Sequence, residues 1–556
     1  MPLFWLLVVV CMPLSTAEGQ AIRPNADAVR QWQNRKFGMF IHFGLYSTLG
    51  GMWKGKPYSG NYSEQIQSDA QIPETEYSTW AKTFLPEEWD PDAVVRLAHE
   101  AGMQFIVLTA KHHDGFNMFG THQTNFNVVE GTPYKRDIVK SLADACAREH
   151  MPFGVYYSTI DWNYGDKPEY RNDNRISPAH EEFNVRQLQE LMTGYGLLTE
   201  IWFDMGHPTK LQSQHFADAV HQYQPNCMVS GRVWNSQGDF LEMGDDEIPD
   251  YILDEPWESP ASIFKETWGY RSWQKQTDLQ EKIHEHIMRL VKVVSRGGNY
   301  ILNIGPKGDG SIVPYEADVL RGVGAWLKEN GAAIYGTQPQ PFRKLDFGYA
   351  AVKKNRLFLF VENPPAGEQL ILPGMRNQIS NAYLLRDPKT QLAVTKTLSG
   401  DPVIRFPRQT NFLPVVAVEF DGVLNVEQGR RVQAGADGAV ILRPEQANTF
   451  FNSNGEGYYD APTLRKQQWV FSMARTGRYE VRLEIKPGKS SRVLDVTIDG
   501  QRFSPIVYGQ TRQTVIGEVQ VKADNDVVLT IEPGTPAERG AILDVGIQRV
   551  VLNSVR

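Results

Sequence analysis

Carboxyl groups at the ends of apolar runs are the side chains of this sequence best placed for catalysis. Asp204 ends the run EIWFD at residues 200–204, and Glu255 and Glu258 end the run DYILDEPWE at residues 250–258. A carboxylate among aromatic neighbours is partly desolvated, which indicates a chemical role such as attack on an electrophilic carbon. Ionisation of both of two facing carboxyl groups is opposed by the repulsion between their charges, so one of them keeps its proton. One ionised nucleophile and one protonated acid are what a retaining glycosidase needs, about 5–5.5 Å apart.

Imidazole and aromatic side chains accompany these carboxyl groups. His42 ends the run FGMFIH, and His112 and His113 follow the run FIVLTAK. Successive residues of a strand point to opposite faces, so His112 and His113 do not easily bind one metal ion. We therefore expect neither a metal nor another cofactor, and single imidazoles suit the hydroxyl groups of a sugar better. Tyr156 and Trp202 offer rings on which the apolar face of a sugar stacks.

Apolar runs alternate with amphipathic helical patterns over residues 27–336. The runs span residues 37–44, 104–113, 153–159, 198–206, 227–232, 250–258 and 299–306. Such runs, separated by helices, are typical of buried parallel strands in βα units. About 300 residues of this pattern favour a (β/α)8 barrel over a doubly wound sheet, with ETWGYR at 266–271 as a candidate eighth strand. No glycine-rich nucleotide motif opens a helix, so nucleotide-binding folds lose support.

A barrel would bring the polar residues of different runs together. Parallel strands of a barrel place their carboxyl ends at one mouth, where active sites form. The carboxyl, imidazole and tyrosine side chains named above follow several different runs, so a shared site explains them better than separate structural roles. Arg232 ends the run CMVSGR and either binds substrate, orients the acid or forms a structural ion pair.

The pattern changes after residue 336. Short alternating segments separated by Pro, Gly, Asn and Asp predict a β-sandwich over 337–422. A second all-β region follows over 423–556, and its segments QQWVFSM and GRYEVRLEI are similar to those of β-sandwich carbohydrate-binding modules. Sugar-binding and purely structural roles both stay open there, because sandwiches serve many functions. The predicted fold is α/β, a (β/α)8 TIM-like barrel followed by two all-β sandwich domains.

Composition and the first residues bear on partners and location. The 556 residues carry a net charge of -8 without a block of Lys and Arg, so we expect neither nucleic acid nor an anionic membrane as main partner. Residues 1–17, MPLFWLLVVVCMPLSTA, form an apolar stretch too short to span a bilayer and end in small residues. This pattern predicts a cleaved signal peptide and a secreted or periplasmic protein. No later segment approaches membrane-spanning length.

Ordered motifs of this chain resemble those of the α-L-fucosidases of glycoside hydrolase family 29. They are KFGMFIHFGLYS, LTAKHHDGF, FGVYYSTIDW, EIWFDMG, TWGY and VSRGGNYILNIGPKGDG. They occur in family order and cover roughly residues 27–340. The resemblance implies a barrel followed by a β-sandwich, exo-hydrolysis of terminal α-L-fucose by double displacement with retention, and no metal.

The resemblance also implies roles for individual residues. Asp204 in WFD matches the family nucleophile. His42, His112 and His113 match the fucose-binding histidines, and Tyr156 in VYYS matches a tyrosine of the same pocket.

The segment around Glu64 matches the family less completely. Glu64 in NYSEQI matches a glutamate that the family often follows with tryptophan, whereas Gln65 follows it here. Trp53 is a candidate for the missing stacking contact. With Trp202 and Arg232, Glu64 completes the predicted substrate-binding residues.

The general acid/base is the least constant position of the family. Glu258 in WESPASIFKETWGY best resembles the glutamate of members that prefer α-1,3/1,4 linkages, and Glu255 and Glu266 are the alternatives. The predicted function is therefore a retaining exo-α-L-fucosidase acting on fucosylated glycans. Alternatives are an α-L-galactosidase, since that sugar differs from fucose by one hydroxyl, a non-catalytic fucose-binding protein, and a metal-dependent barrel hydrolase.

Overall fold

The structure is a computed structural model. It describes residues 22–556 except 59, 61, 165–174, 250, 251, 254, 343, 344, 399, 408, 410, 427–431, 436, 437, 453–462, 474, 489, 490, 524, 525, 535–545 and 556. The segment predicted as a signal peptide lies outside the described residues. Within them, no helix is long and apolar enough to cross a membrane.

Parallel strands and helices alternate through the first part of the chain. The barrel strands are β1 (Phe37–Ile41), β2 (Ile106–Lys111), β3 (Phe153–Ser158), β4 (Leu198–Asp204), β5 (Met228–Val229), β6 (Leu241–Glu242), β7 (Trp257–Ser262) and β8 (Asn299–Ile304). The longer helices are α1 (Ala26–Arg35), α2 (Pro91–Glu100), α3 (Ile138–Arg148), α4 (Pro178–Gly194), α5 (Lys210–His221), α6 (Leu279–Ser295) and α7 (Pro314–Asn330). Shorter helical segments are Tyr46–Leu49, Ser63–Gln65, Ile66–Asp69, Glu74–Tyr77, Ser78–Thr83, Gly231–Val233 and Gly331–Ala333, and a small hairpin pairs Met52–Trp53 with Lys56–Pro57.

Helix starts follow from side chains that cap the first backbone N–H groups. Asp90, Asp137, Ser177, Thr209 and Asp278 each accept a hydrogen bond from a backbone N–H of the first turn that follows. The apolar faces of these helices pack against the outside of the strands in one large buried cluster. Capping thus fixes where each helix begins, and burial of its apolar face fixes how it lies on the barrel.

The parallel sheet closes into a barrel. The strands neighbour one another in the order β5-β4-β3-β2-β1-β8-β7-β6. A parallel bridge between Ser230 and Phe240 joins the two ends of this order, directly after β5 and directly before β6. The predicted (β/α)8 TIM-like architecture is therefore confirmed.

Two strand predictions were wrong. The barrel strand β7 begins at Trp257, at the end of the run 250–258 that was expected to form it, and continues to Ser262. The candidate strand 266–271 is a loop, and the remaining barrel strand is the two-residue β6. A run this short carries no recognisable period, so the sequence pattern did not indicate it.

Side chains inside the barrel form layers along its axis. Phe40, Tyr156 and Trp202, from three strands, meet in the middle, with ring centroids 5.1 Å apart for Phe40–Trp202 and 5.6 Å for Tyr156–Trp202. Residues two positions away on a strand face the same way, so these strands also supply a layer above and a layer below. Asp204 belongs to the upper layer, at the carboxyl ends of the strands, and Glu200 to the lower.

Antiparallel strands make up the rest of the chain. Strands over 348–420 are β9 (Gly348–Lys353), β10 (Arg356–Val361), β11 (Gln369–Ile371), β12 (Ile379–Leu384), β13 (Asp387–Gln391), β14 (Val394–Lys396), β15 (Pro402–Arg405) and β16 (Val415–Phe420). They form a sheet in the order β9-β10-β16-β12-β13 and a second in the order β11-β15-β14, with a shared apolar core. Rings stack between this region and the barrel helices, as in His284–Phe412 at 3.7 Å.

A further sandwich with its own buried core follows. Its strands are β17 (Val432–Gln433), β18 (Val440–Leu442), β19 (Asn448–Asn452), β20 (Thr463–Ser472), β21 (Gly477–Ile485), β22 (Arg492–Ile498), β23 (Gln501–Phe503), β24 (Ile506–Val507), β25 (Gln513–Val521), β26 (Asp526–Pro533) and β27 (Ile547–Ser554), with a helical turn at Pro444–Gln446. The strand-rich region thus agrees with the predicted all-β architecture.

Candidate active site

A cavity opens at the carboxyl ends of the barrel strands. This is the mouth of the barrel at which active sites of this fold form. Its wall combines aromatic rings, imidazoles and carboxyl groups. The lining residues are Phe40, His42, Tyr62, Glu64, Gln65, His112, His113, Tyr156, Trp202, Asp204, Met205, Arg232, Asp245 and Trp268.

Asp204 lies at the end of β4 with both carboxylate oxygens bound. The hydroxyl of Tyr156 donates to Oδ2 at 2.8 Å, and a terminal nitrogen of Arg232 donates to Oδ1 at 3.1 Å. His113 Nε2 is 3.7 Å from Oδ2. The hydroxyl donor and the guanidinium fix the orientation of the carboxylate, as a nucleophile requires.

Asn303 orients His42 so that Nδ1 of the imidazole donates a hydrogen bond and Nε2 is left as the acceptor. Asn303 Nδ2 donates to the carbonyl of Trp268 at 2.7 Å, so Asn303 Oδ1 faces His42 Nδ1, also at 2.7 Å. His42 Nδ1 therefore donates, and Nε2 keeps its lone pair. Burial lowers the pKa of His42 to about 4, although the hydrogen bond to Asn303 opposes this, so the ring is neutral at neutral pH.

The adjacent histidines of the sequence lie side by side. Ser158 Oγ donates to the carbonyl of Ile160 and lies 2.7 Å from His113 Nδ1, which orients that ring. The ring of His112 is 4.0 Å from that of His113 and stacks on Tyr156 at 5.4 Å. Burial, followed by the neighbouring imidazoles, lowers the pKa of His112 well below its ordinary value. The ring of His112 therefore offers neutral nitrogen atoms to sugar hydroxyls.

Glu64 reaches the cavity from the loop after β1. Its Oε2 accepts hydrogen bonds from the backbone N–H of Gly269 at 2.7 Å and of Trp268 at 3.2 Å. Burial raises the pKa of Glu64 to about 7, although these amides oppose the shift. The loop after β7 thus holds one oxygen of Glu64 in place.

Arg232 connects two cavity carboxylates. Its side chain is 4% exposed, and its second terminal nitrogen is 2.9 Å from Oδ1 of Asp245. Since the first terminal nitrogen binds Asp204, one planar guanidinium lies between the two carboxylates. The guanidinium also lies over the ring of Trp202, with Cζ 4.4 Å from the ring centroid. The buried ion pair that was one of three readings of Arg232 is therefore present, and it lies in the wall of the cavity.

Comparison with known proteins agrees with this site. The model of a protein family described as alpha-L-fucosidase matches residues 16–332. The chain belongs to the α-L-fucosidase family. It is therefore a glycoside hydrolase, and the resemblance of its motifs to family 29 is confirmed.

Curated fucosidases share this part of the chain. The tissue alpha-L-fucosidase of Macaca fascicularis is 30% identical over 368 residues, 60% of this chain and 77% of that protein. The tissue alpha-L-fucosidase of Homo sapiens is 32% identical over 325 residues, 55% of this chain and 68% of that protein.

Solved fucosidases share the fold. The Bacteroides thetaiotaomicron GH29 alpha-L-fucosidase, solved as a trapped covalent intermediate with 2-fluoro-fucosyl fluoride, has a TM-score of 0.65 and 28% identity, covering 74% of this chain and 100% of that one. The alpha-L-fucosidase of Vibrio sp. strain EJY3 has a TM-score of 0.67 over 96% of this chain and 98% of that one. At 24% identity, the latter similarity concerns the fold alone.

The fold brings most of the predicted fucosidase residues together. His42, Glu64, His112, His113, Tyr156, Trp202, Asp204 and Arg232 all line the cavity. The sequence analysis missed Asp245, which follows the two-residue strand β6. The only signal for it was the polar segment GDDE at 244–247, which follows too short an apolar run to be taken as a strand end.

The predicted acid/base candidates lie elsewhere. Glu258 is the second residue of β7, in register with Asn299 at the start of β8, and it is fully buried. Asn303, which contacts His42, is four residues further along β8, so Glu258 lies well before the carboxyl ends of the strands. Its contact is a hydrogen bond from Trp202 Nε1 at 3.3 Å. The expectation that Glu258 ends a strand at the mouth was wrong.

The other candidates are also absent from the cavity wall. Glu255 precedes β7, on the side of the barrel where the strands begin. Glu266 lies in the loop after β7, is exposed, and accepts a hydrogen bond from Gln274 at 3.4 Å. Trp53 lies in the small hairpin beside the cavity and does not line it. Among the described residues, no three His, Cys, Asp or Glu side chains converge as metal ligands would.

Proposed function

We propose that this protein is a retaining exo-α-L-fucosidase that removes terminal α-L-fucose from fucosylated glycans, with Asp204 as nucleophile and Asp245 as general acid/base. The observation that carries the assignment is the pair of cavity carboxylates on the two terminal nitrogens of Arg232. One guanidinium keeps two carboxyl groups near each other without contact, as the retaining mechanism requires.

Asp245 fits the acid/base role better than the other carboxyl groups. Its side chain is 16% exposed against 10% for Asp204, so it lies nearer the solvent from which a leaving group or water arrives. Glu64 also faces the cavity, but backbone amides hold one of its oxygens, which suits a group that binds a sugar hydroxyl. Glu258 lies in the lower layer and does not reach the cavity.

The first half-reaction forms a covalent intermediate. Asp204 attacks the anomeric carbon of fucose, the bond from that carbon to the glycosidic oxygen breaks, and protonated Asp245 gives its proton to that oxygen. Formation of the ester removes the charge of Asp204, and Arg232 then faces only the charge of Asp245 within the cavity.

The second half-reaction releases fucose. Ionised Asp245 takes a proton from water while the water oxygen attacks the anomeric carbon, and the bond to Asp204 breaks. Two inversions return the sugar to the α configuration. Neutral His42 and His112, together with Glu64, supply hydrogen-bond partners for the hydroxyl groups, and Trp202 and Trp268 face the apolar part of the ring.

Proton NMR of a digest tests the reaction. We expect the α anomer of fucose to be the first product from an aryl α-L-fucoside and from a Lewis-type trisaccharide. Initial β-fucose would contradict Asp204 as a covalent nucleophile. Binding of fucose without release would favour the non-catalytic alternative, and loss of activity on chelation would favour a metal-dependent hydrolase.

Substrate range is a separate part of the proposal. The preference for α-1,3/1,4 linkages rests on the sequence around Glu258, and comparing rates on α-1,2, α-1,3 and α-1,4 fucosides tests it. An α-L-galactoside differs by one hydroxyl, and rejecting it through an apolar contact is worth about 1–3 kcal/mol, so slow turnover of that sugar is expected.

Export is likewise proposed from sequence. The apolar stretch at residues 1–17 supports cleavage before Glu18 and a secreted or periplasmic protein. N-terminal sequencing of the protein recovered outside the cytoplasm tests this. A mature chain that starts at Met1 would contradict cleavage.

A further inference from the structure

We propose that Ser63 and Thr267 are positioning residues whose hydroxyl groups join two loops at the mouth of the barrel, a contact that we call the hydroxyl clamp. Ser63 precedes Glu64 in the loop after β1, and Thr267 precedes Trp268 in the loop after β7. Glu64 and Trp268 line the cavity, whereas Ser63 and Thr267 lie outside its wall. The inference rests on the proposed function, because it concerns how that site holds the sugar.

The two hydroxyl groups contact each other and share one acceptor. Ser63 Oγ is 2.7 Å from Thr267 Oγ1, and the backbone N–H of Ser63 donates to Thr267 Oγ1 at 3.2 Å. The carbonyl oxygen of Gly269 is 2.9 Å from Ser63 Oγ and 2.8 Å from Thr267 Oγ1. Each hydroxyl has one proton, so one O–H donates to the other hydroxyl and one donates to Gly269. In either order, a hydrogen bond between side chains connects the two loops.

Burial makes the hydroxyl clamp difficult to replace by water. Ser63 is 3% exposed and Thr267 is 4% exposed. A buried hydroxyl that loses its partner has no water to take that place, so the loss is larger than for an exposed hydrogen bond. The clamp therefore fixes the loop after β1 and the loop after β7 relative to each other.

The hydroxyl clamp lies next to the contacts that orient Glu64. The backbone N–H groups of Trp268 and Gly269, which donate to Glu64 Oε2, follow Thr267 directly in the chain. Movement of the loop after β7 would therefore withdraw both donors. It would also displace the ring of Trp268, whose centroid is 5.3 Å from that of His42. Loss of the clamp thus disturbs two side chains that we assign to the sugar.

The loop after β7 crosses the end of β8 to reach the loop after β1. The strands neighbour one another in the order β1-β8-β7. A Cβ on Gly305, directly after β8, would lie 2.7 Å from the backbone nitrogen of Tyr270, so the loop lies directly on that strand end. Asn303 of β8 donates to the carbonyl of Trp268 at 2.7 Å. One neighbour thus holds this loop from the strand end, and the hydroxyl clamp holds it from the loop after β1.

Substitutions at Thr267 separate the hydroxyl group from the shape of the side chain. Thr267→Val keeps the shape and removes the hydroxyl, and we expect KM for an aryl α-L-fucoside and the Kd of L-fucose to rise about tenfold. We expect kcat to change less than about threefold, because Asp204 and Arg232 lie on other elements. Thr267→Ser keeps the hydroxyl and should restore both constants close to wild type. Ser63→Ala, which should shift both constants in the same direction, is the second variant should the valine variant not fold.

Thr337→Val is the matched control. Thr337 is fully buried, its hydroxyl donates to the carbonyl of Ile334 at 2.7 Å, and it lies outside the cavity wall. Thermal unfolding should show both valine variants destabilised, whereas only Thr267→Val should bind fucose more weakly. In a Glu64→Ala background, Thr267→Val should cost less affinity than in the wild type, because one of the side chains that the clamp positions is gone.

Isothermal titration with L-fucose measures Kd without turnover, which separates the outcomes. Wild-type KM and Kd in Thr267→Val, a serine variant as impaired as the valine variant, or an equal loss in Thr337→Val would each overturn the hydroxyl clamp. An undiminished loss in the Glu64→Ala background would overturn it as well. A wild type that binds fucose and hydrolyses no fucoside would overturn the proposed hydrolysis, while the Kd values would still decide on the clamp. A wild type that neither binds nor hydrolyses would overturn both.

Discussion

The upper and lower layers of the barrel interior contain the same kind of side chain in opposite surroundings. Asp204 and Glu200 lie on one strand, both point inward, and are four residues, or about 13 Å, apart. Asp204 faces the cavity and binds a hydroxyl and a guanidinium, whereas Glu200 is fully buried and accepts a hydrogen bond from Trp32. Position along the strand therefore separates the carboxylate that we propose as the nucleophile from a fully buried carboxyl group.

The lower layer is an unusual interior. Glu200 and Glu258 are both fully buried, and Glu242 has a side chain that is 1% exposed. Burial, followed by the charges of Glu200 and Glu242, raises the pKa of Glu258 well above its usual range. A neutral carboxylic acid is the form that such a site favours, and it can accept the hydrogen bond from Trp202. The upper layer instead surrounds the carboxyl group of Asp204 with a hydroxyl donor and a guanidinium.

The largest effect is expected from removal of the nucleophile. Asp204→Gly should lower kcat by about 10⁴-fold or more, the scale of losing a group that forms a covalent bond. With azide and α-L-fucosyl fluoride, the variant should yield the β-fucosyl azide, since azide attacks directly. Steady-state kinetics and NMR of the azide product check this, with Glu200→Gln as the control from the same strand. An α product would point to another nucleophile.

Loss of the acid/base should produce a smaller effect that depends on the leaving group. Asp245→Ala should slow poor leaving groups by about 10²- to 10⁴-fold and activated aryl fucosides far less. Azide should restore turnover and give the α-fucosyl azide, because the intermediate on Asp204 still forms. The same measurements on Glu64→Ala provide the comparison. Azide rescue of that variant and not of Asp245→Ala would move the role to Glu64.

Glu258→Gln should change activity less than either cavity variant. The glutamine keeps an oxygen that accepts from Trp202, and its site lies below the middle layer, so a loss of kcat greater than about tenfold is not expected. Comparing poor and activated leaving groups checks this. A large loss confined to poor leaving groups would restore Glu258 as the acid/base and remove the distinction between the layers.

The smallest effect concerns the pH dependence of stability. The pKa of Glu258 is raised in the folded state, so above about pH 4.3 the unfolded chain releases a proton that the folded protein keeps. The contribution of Glu258 to stability therefore falls as pH rises, by at most about 1.4 kcal/mol per pH unit. In Glu258→Gln, the thermal midpoint of the barrel should fall less steeply with rising pH than in the wild type. Glu266→Gln, at an exposed position, should leave that slope unchanged. An unchanged slope in Glu258→Gln would mean that this carboxyl group ionises normally.

Local patterns indicated part of the cavity wall. Asp204 and His42 end apolar runs and Tyr156 lies within one, and a barrel gathers the carboxyl ends of its strands at one mouth. The same reasoning placed Glu258 at the mouth. The barrel strand begins at Trp257, however, so Glu258 lies near the start of its strand.

The contacts of Arg232 could not be inferred from its neighbours in sequence. Glu242 ends the two-residue strand β6, and Asp245 follows it. The place of this strand in the barrel depends on the bridge between Ser230 and Phe240. Only the closed sheet brings the turn carrying Arg232 onto that strand. Register across strands depends on the whole sheet, and no periodicity within one segment records it.

The sequence by itself determined the alternation of strands and helices, the strand-rich regions that follow, and a carboxylate at the end of an apolar strand. Each of these depends on residues close together in the chain, through capping, burial of one face and chain direction. The tertiary structure decided which carboxyl groups share the cavity, since that depends on strand register and barrel closure. We propose Asp245 rather than Glu258 as the partner of Asp204 because closure of the barrel, and not sequence spacing, places Asp204 and Asp245 beside one guanidinium.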